Sequence, residues 1–170
     1  MSLPSEMSGV VLKGHGGPEK LVWRDDLPVP KPRARDVVIR VRSAGVNNTD
    51  INTRIAWYSK SGADADDASW SGKPLSFPRI QGANVCGCIV AVGNQVDPAR
   101  IGERILIEPC IREADGETLE TPRYFGSECD GGFAVFLQWR RAHLRRFSRL
   151  LARTSASSSG SLRSLRASSR

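Results

Sequence analysis

The residues best suited to chemistry fall in one short run, Asn47-Asn48-Thr49-Asp50, and in a nearby aromatic pair, Trp57 and Tyr58. An asparagine amide orients a carbonyl or a carboxamide through hydrogen bonds, and a hydroxyl beside a carboxylate is a minimal arrangement for moving a proton. The same residues have plainer uses. Asn47 and Asn48 satisfy backbone groups in turns, while Thr49 and Asp50 cap helices. Trp57 and Tyr58, with Trp70 further along, either close over a bound molecule or pack a loop onto the body of the protein. Cys86 and Cys88 lie two apart in an apolar run, so on a strand they share a face and offer half of a metal site. No second cysteine pair has that spacing and His15 and His143 are isolated, so the two thiols are read as small core residues.

The elements that must position these residues are short strands punctuated by glycine and proline, a pattern of a mainly β domain. Residues 9–13 and 21–25 flank the turn His15-Gly16-Gly17-Pro18. The clearest strand spans 36–44, where Val37, Ile39 and Val41 alternate with Val38, Arg40 and Arg42. Asn48 or Thr49 is expected to cap a short helix running towards Arg54. A long polar loop then occupies 55–78, and loops of that length in compact domains are usually functional or disordered. The apolar run 85–93 reads as a buried strand, 105–107 as another, and 109–128 as an acidic excursion. Asp130-Gly131-Gly132-Phe133-Ala134 turns back into a strand.

With 170 residues, 39% hydrophobic and 25% charged, the chain has room for one ordinary soluble domain. Its net charge of +7 is not spread evenly. Residues 1–134 hold 16 Lys and Arg against all 18 acidic residues, whereas 135–170 hold nine Arg and no acid. Four cysteines are too few for a disulfide scaffold, and no apolar run approaches a membrane span, so a cytoplasmic protein is expected. Residues 1–7 are read as a flexible N-terminus, 8–134 as the domain, and 135–170 as a basic Arg/Ser-rich tail. That tail lacks the apolar content to offset its ordering entropy, so its second half is expected to be disordered and 139–151 to form at most a basic helix. Its Arg, Ser, Leu and Ala composition is also what an out-of-frame reading of a GC-rich gene produces.

Four blocks in order carry a resemblance to a known family. Ala44-Gly45-Val46-Asn47-Asn48-Thr49-Asp50 is the first, and Pro78-Arg79-Ile80-Gln81-Gly82-Ala83-Asn84-Val85-Cys86-Gly87 leading to Val90-Ala91-Val92-Gly93 is the second. Gly102-Glu103-Arg104-Ile105 and Asp130-Gly131-Gly132-Phe133-Ala134 complete the series. Together they resemble the medium-chain dehydrogenase/reductase superfamily, in the GroES-like N-terminal domain of alcohol dehydrogenase and quinone oxidoreductase-like proteins. The resemblance implies a GroES-like, partly open β-barrel with short helices that forms one wall of an active-site cleft. In such proteins a Rossmann domain holding NAD or NADP forms the other wall, and the chain contains no G-x-G-x-x-G after a strand. A fragment is therefore expected, inactive and without bound cofactor on its own.

Zinc members of that family have a cysteine where Asn47 stands and His-Glu where Ala83-Asn84 stand, so no zinc is expected. Cys110 alone falls where a structural-zinc lobe would lie. Zinc-free members pass hydride between nicotinamide and a carbonyl or quinone. The resemblance then implies that Asn47 faces the nicotinamide side of the cleft; Thr49 and Asp50 are the further candidate cleft residues, and Trp57 and Tyr58 of the long loop the candidates for touching substrate. A small carbonyl, quinone or alcohol is the expected partner, with neither membrane nor nucleic acid. The rival from another class is a non-catalytic interaction protein whose basic tail binds nucleic acid or acidic lipid.

Overall fold

The structure, a computed structural model, describes residues 2–59, 69–71, 73–114, 117–140 and, for the backbone alone, 144–146. Among the described residues the chain is mostly strand, with one short α-helix and three 3-10 turns. Strand β1 (Glu6–Leu12) pairs antiparallel with β2 (Leu21–Pro28), and its end also pairs with the two-residue β4 (Arg79–Ile80). The central sheet has the order β10-β6-β5-β3-β9. Its members are β3 (Asp36–Gly45), β5 (Asn84–Val92), β6 (Arg104–Ile107), β9 (Phe136–Arg140) and β10 (Leu144–Arg146), with antiparallel neighbours throughout. A hairpin of β7 (Cys110–Ala114) and β8 (Glu117–Tyr124) stands apart as a third sheet. The sheets do not close on one another, which matches the partly open mainly β fold expected.

The period-2 pattern of β3 decides which side is interior. Val37 and Ile39 are fully buried in a cluster with Val85, Ile89, Ile105, Leu137 and Trp139. Phe125 and Trp139 meet edge-to-face in that cluster, their ring centroids 4.5 Å apart. Val38 faces the other way and is covered by Met7 and Phe136, while its neighbour on that face, Arg40, is exposed. Gly87 on β5 is dictated by proximity, since a Cβ there would lie 2.4 Å from the Arg40 carbonyl oxygen.

Several expectations are corrected. The N-terminal segment is not a loose end: β1 begins at Glu6, Met7 is buried, and Val29 N–H donates to the Ser5 carbonyl at 3.0 Å. The domain does not stop at Ala134, because Phe136–Arg140 is a strand hydrogen-bonded along β3 from Asp36 to Arg40. Nor do the described residues of 139–151 form a helix. Trp139 and Arg140 end β9, and Leu144–Arg146 pair with Ile105–Ile107. Apolar alternation in Phe136-Leu137-Gln138-Trp139, short as it is, outweighs the arginine-rich composition around it. The expected acidic excursion contains the β7–β8 hairpin. Cys86 and Cys88 are half-buried on the face opposite the interior cluster, and so are not core residues. The expected disorder of the tail beyond residue 146 lies outside the described residues.

Candidate functional site

The turn after β3 leads into helix α1 (Asn48–Arg54), and the N-cap is Asn47 rather than Asn48 or Thr49. Asn47 Oδ1 accepts from the Thr49 N–H at 2.7 Å, and the Asn47 N–H donates to Asp50 Oδ2 at 3.0 Å. This reciprocal cap fixes the amide's orientation, since Oδ1 must face the Thr49 N–H and the NH2 group must face away.

Asp50 is buried and does more than cap. Its Oδ1 accepts from the N–H groups of Gly82 and Ala83 at 3.0 and 3.3 Å, and its backbone carbonyl accepts from Gln81 Nε2 at 2.9 Å. One carboxylate therefore ties the start of α1 to the lead-in of β5. Burial pushes the Asp50 carboxyl above its ordinary range, against the pull of its backbone hydrogen bonds. Gly82 makes this approach possible, with φ +105° and the Phe133 ring where a Cβ would lie. The far end of α1 is tied as well: Arg54 Nη1 donates to the Gly16 carbonyl at 2.7 Å, and His15 Nδ1 donates to the Thr53 carbonyl at 2.8 Å.

After α1, a 3-10 turn at Trp57–Ser59 brings Tyr58 back over the helix, where its hydroxyl and Thr49 Oγ1 are hydrogen-bonded at 3.1 Å. Trp57 remains 45% exposed and meets the Tyr58 ring edge-on. The structure thus brings Asn47, Thr49, Asp50 and Tyr58 together, with Trp57 at the rim. Trp70 is held differently. Its backbone N–H donates to Ser127 Oγ at 3.0 Å and its ring lies on Tyr124 with centroids 5.1 Å apart. Glu128 secures the same corner by accepting from the Ser71 and Tyr124 N–H groups at 2.7 and 2.6 Å. Trp70 packs down, whereas residues 60–68 of the same loop lie outside the described residues.

Sequence reasoning missed Tyr124. It ends β8 opposite Cys110, and burial raises its phenol above the ordinary value, reinforced by the negative charge that Cys110, Tyr58, Glu108 and Asp50 can carry nearby. Its ring lies on Trp70. No local motif marks Tyr124, because the hairpin that presents it has the charged composition of an acidic excursion.

The fit to zinc is poor. Asn47 Oδ1 is committed to the Thr49 N–H, Ala83 has no donor atom, and Asn84 is exposed at the start of β5 opposite Gly45. A cavity of about 670 Å³ opens elsewhere, lined by Met7, Leu27, Arg79, Phe136 and Trp139 among others, and none of Asn47, Thr49, Asp50, Trp57 or Tyr58 lines it.

The alcohol dehydrogenase GroES-like domain family matches residues 33–147. Quinone oxidoreductase of Homo sapiens is 34% identical over 96 residues, covering 56% of this chain and 25% of its own length. An NAD-dependent alcohol dehydrogenase of Sulfolobus acidocaldarius is 27% identical over 139 residues, covering 77% of this chain and 37% of its own. Among solved structures, a candidate alcohol dehydrogenase from Sinorhizobium meliloti 1021 aligns with a TM-score of 0.76 and 41% identity, over 85% of this chain and 40% of that one. The chain thus spans between a quarter and two fifths of the length of these relatives.

Proposed function

Because the chain belongs to the alcohol dehydrogenase GroES-like domain family, we propose that it supplies the substrate-facing wall of a zinc-independent, NAD(P)-dependent oxidoreductase acting on a small carbonyl, quinone or alcohol. The observation that carries this reading is the Thr49–Tyr58 hydroxyl pair, 3.1 Å apart, beside the seated Asn47 amide. When bound, the nicotinamide supplies the hydride. This chain's residues do the rest: the Asn47 NH2 group donates to a carbonyl oxygen as negative charge develops there, and Tyr58, linked to Thr49, donates or takes up the proton. Trp57 covers the substrate side. Asp50 acts through Asn47 and is a positioning residue. The zinc-free assignment rests on Asn47, Ala83 and Asn84, which offer no adequate ligand set.

The test is to join the chain to the nucleotide-binding domain of a relative and follow NADPH oxidation with quinones and enones. Asn47→Ala is expected to lower kcat/KM by about 100-fold, as loss of one oxyanion donor does. Tyr58→Phe should lower it by about 100-fold or more and flatten its pH dependence. Full activity in both variants, or stoichiometric zinc that survives mild chelation, would overturn the proposal.

A further inference from the structure

The cavity of about 670 Å³ that the cleft residues do not line touches both apolar clusters of the fold. Met7, Leu27 and Phe136 belong to one, Ile111, Leu137 and Trp139 to the other. Those clusters lie on opposite faces of the central sheet, so the cavity runs along the sheet's edge. All five consecutive residues of β9 line it, as an edge opening requires.

The backbone facing this opening is unpaired. The Val41 N–H donates to the Val135 carbonyl at 2.9 Å, so across that planar peptide the Phe136 N–H points away from β3. Alternation along the strand turns the N–H and C=O of Gln138 the same way. Among the described residues β9 pairs with β3 alone, and no backbone group meets these outward ones. β1 covers the edge only as far as Val135, whose N–H donates to the Ser8 carbonyl at 3.0 Å.

The lining charges are not equally available. Asp36 accepts from Gln138, Glu128 from the Ser71 and Tyr124 N–H groups, and Asp130 from Arg79 and the Ile80 N–H, while Glu113 has a partner of its own. Arg33 and Arg123 are exposed, and among the described residues neither side chain is in an ion pair or a hydrogen bond. Arg33 stands at the Arg140 end of β9, since its carbonyl accepts from the N–H of Asp36, the residue opposite Arg140.

We propose that this groove docks an extended segment of a partner protein, apolar along its middle and acidic at its flanks. The segment extends the sheet through the free backbone groups of Phe136 and Gln138, and its alternate side chains enter the two apolar walls. Its flanking carboxylates meet Arg33 and Arg123. A second copy of this chain cannot fill the groove with its own β9, because that edge is equally sunk between β2 and the β7–β8 hairpin.

The experiment titrates the full chain into a fluorescent peptide of alternating isoleucine and valine flanked by paired glutamates, with anisotropy as the readout. Companion peptides carry lysine flanks, or are N-methylated at the isoleucines or at the valines. The glutamate-flanked peptide is expected to bind at least about tenfold more tightly than the lysine-flanked one, a difference that shrinks to about twofold or less at high salt. One of the two methylated forms, the one whose blocked N–H groups face β9, should lose about tenfold or more. Gln138→Pro removes an outward N–H that β3 does not use, a change edge strands tolerate, and should weaken binding by about tenfold. Gln138→Ala loses only the side-chain bond to Asp36 and should bind as the wild type does. Arg33→Gln/Arg123→Gln should abolish the preference for glutamate flanks. Undiminished binding of both methylated peptides, equal binding of the lysine-flanked one, or a dimer in sedimentation that Gln138→Pro abolishes would overturn the proposal.

Discussion

Replacing Asp50 by asparagine preserves size but exchanges an acceptor for a donor. If Oδ1 keeps the Gly82 and Ala83 N–H groups, the new NH2 group faces the Asn47 N–H, and the reciprocal cap is lost. Asp50→Asn is expected to cost about 1 to 3 kcal/mol in urea unfolding at neutral pH, the price of leaving a buried donor unmatched. Cys129 makes a pH-dependent prediction. Burial pushes its thiol up to about 12 from the ordinary 9.0, so the folded state holds its proton longer than the unfolded state does. Its contribution to stability is therefore complete below pH 9 and is lost as pH rises towards 12. Wild-type stability should fall more steeply than that of Cys129→Ala across this window, and native Cys129 should resist thiol reagents at pH 8. Equal slopes in alkaline unfolding would refute the assignment. At this scale the sequence was legible where chemistry is local. A short helix ending near Arg54 follows from residue type and spacing, but its cap falls one residue before the expected Asn48, at Asn47, where Asp50 can close the reciprocal box. The bond from Asp50 to Gly82 spans 32 residues and had no local signal.

Strand β9 gives the sharpest prediction at the level of elements. It brings Leu137 and Trp139 into the interior cluster, and Gln138 Nε2 donates to buried Asp36 Oδ2 at 2.5 Å. A chain ended after Ala134 should lack cooperative unfolding, whereas one ended after Arg146 should keep it. Trp139→Ala in the full chain should cost about 3 to 5 kcal/mol. Cooperative, undiminished stability of the shorter chain would show that β9 is dispensable. The strands 9–13, 36–44 and 85–93 were readable because apolar alternation and apolar runs survive in them. Two things hid β9. It lies in arginine-rich composition, and its partner strand is a hundred residues earlier, so no window of sequence contains both halves of the pairing. The β7–β8 hairpin was obscured by its charge, since most of the residues in its two strands face solvent and only Ile111 among them is buried.

For the whole molecule, the proposed reading assigns residues 1–170 one wall of a cleft. Hydride transfer needs cofactor and substrate held at near-attack distance, and losing that positioning costs on the order of 7 to 11 kcal/mol of barrier. The 170-residue chain by itself is accordingly expected to show no NADH or NADPH oxidation with quinones, enones or aldehydes, and no heat of cofactor binding at millimolar concentration. Turnover at ordinary enzymatic rates would require a cofactor site within this chain. The strand order of the central sheet has a separate consequence, for the time at which the molecule comes into being. β3 lies between β5 and β9, and the Asp36–Gln138 bond that joins it to β9 spans 102 residues. On a ribosome adding about 5 to 20 residues per second, that edge of β3 waits on the order of 5 to 20 s for its partner to be made. During that interval the nascent chain presents an open, valine-rich strand edge, the feature that chaperones shield and that misassembly exploits.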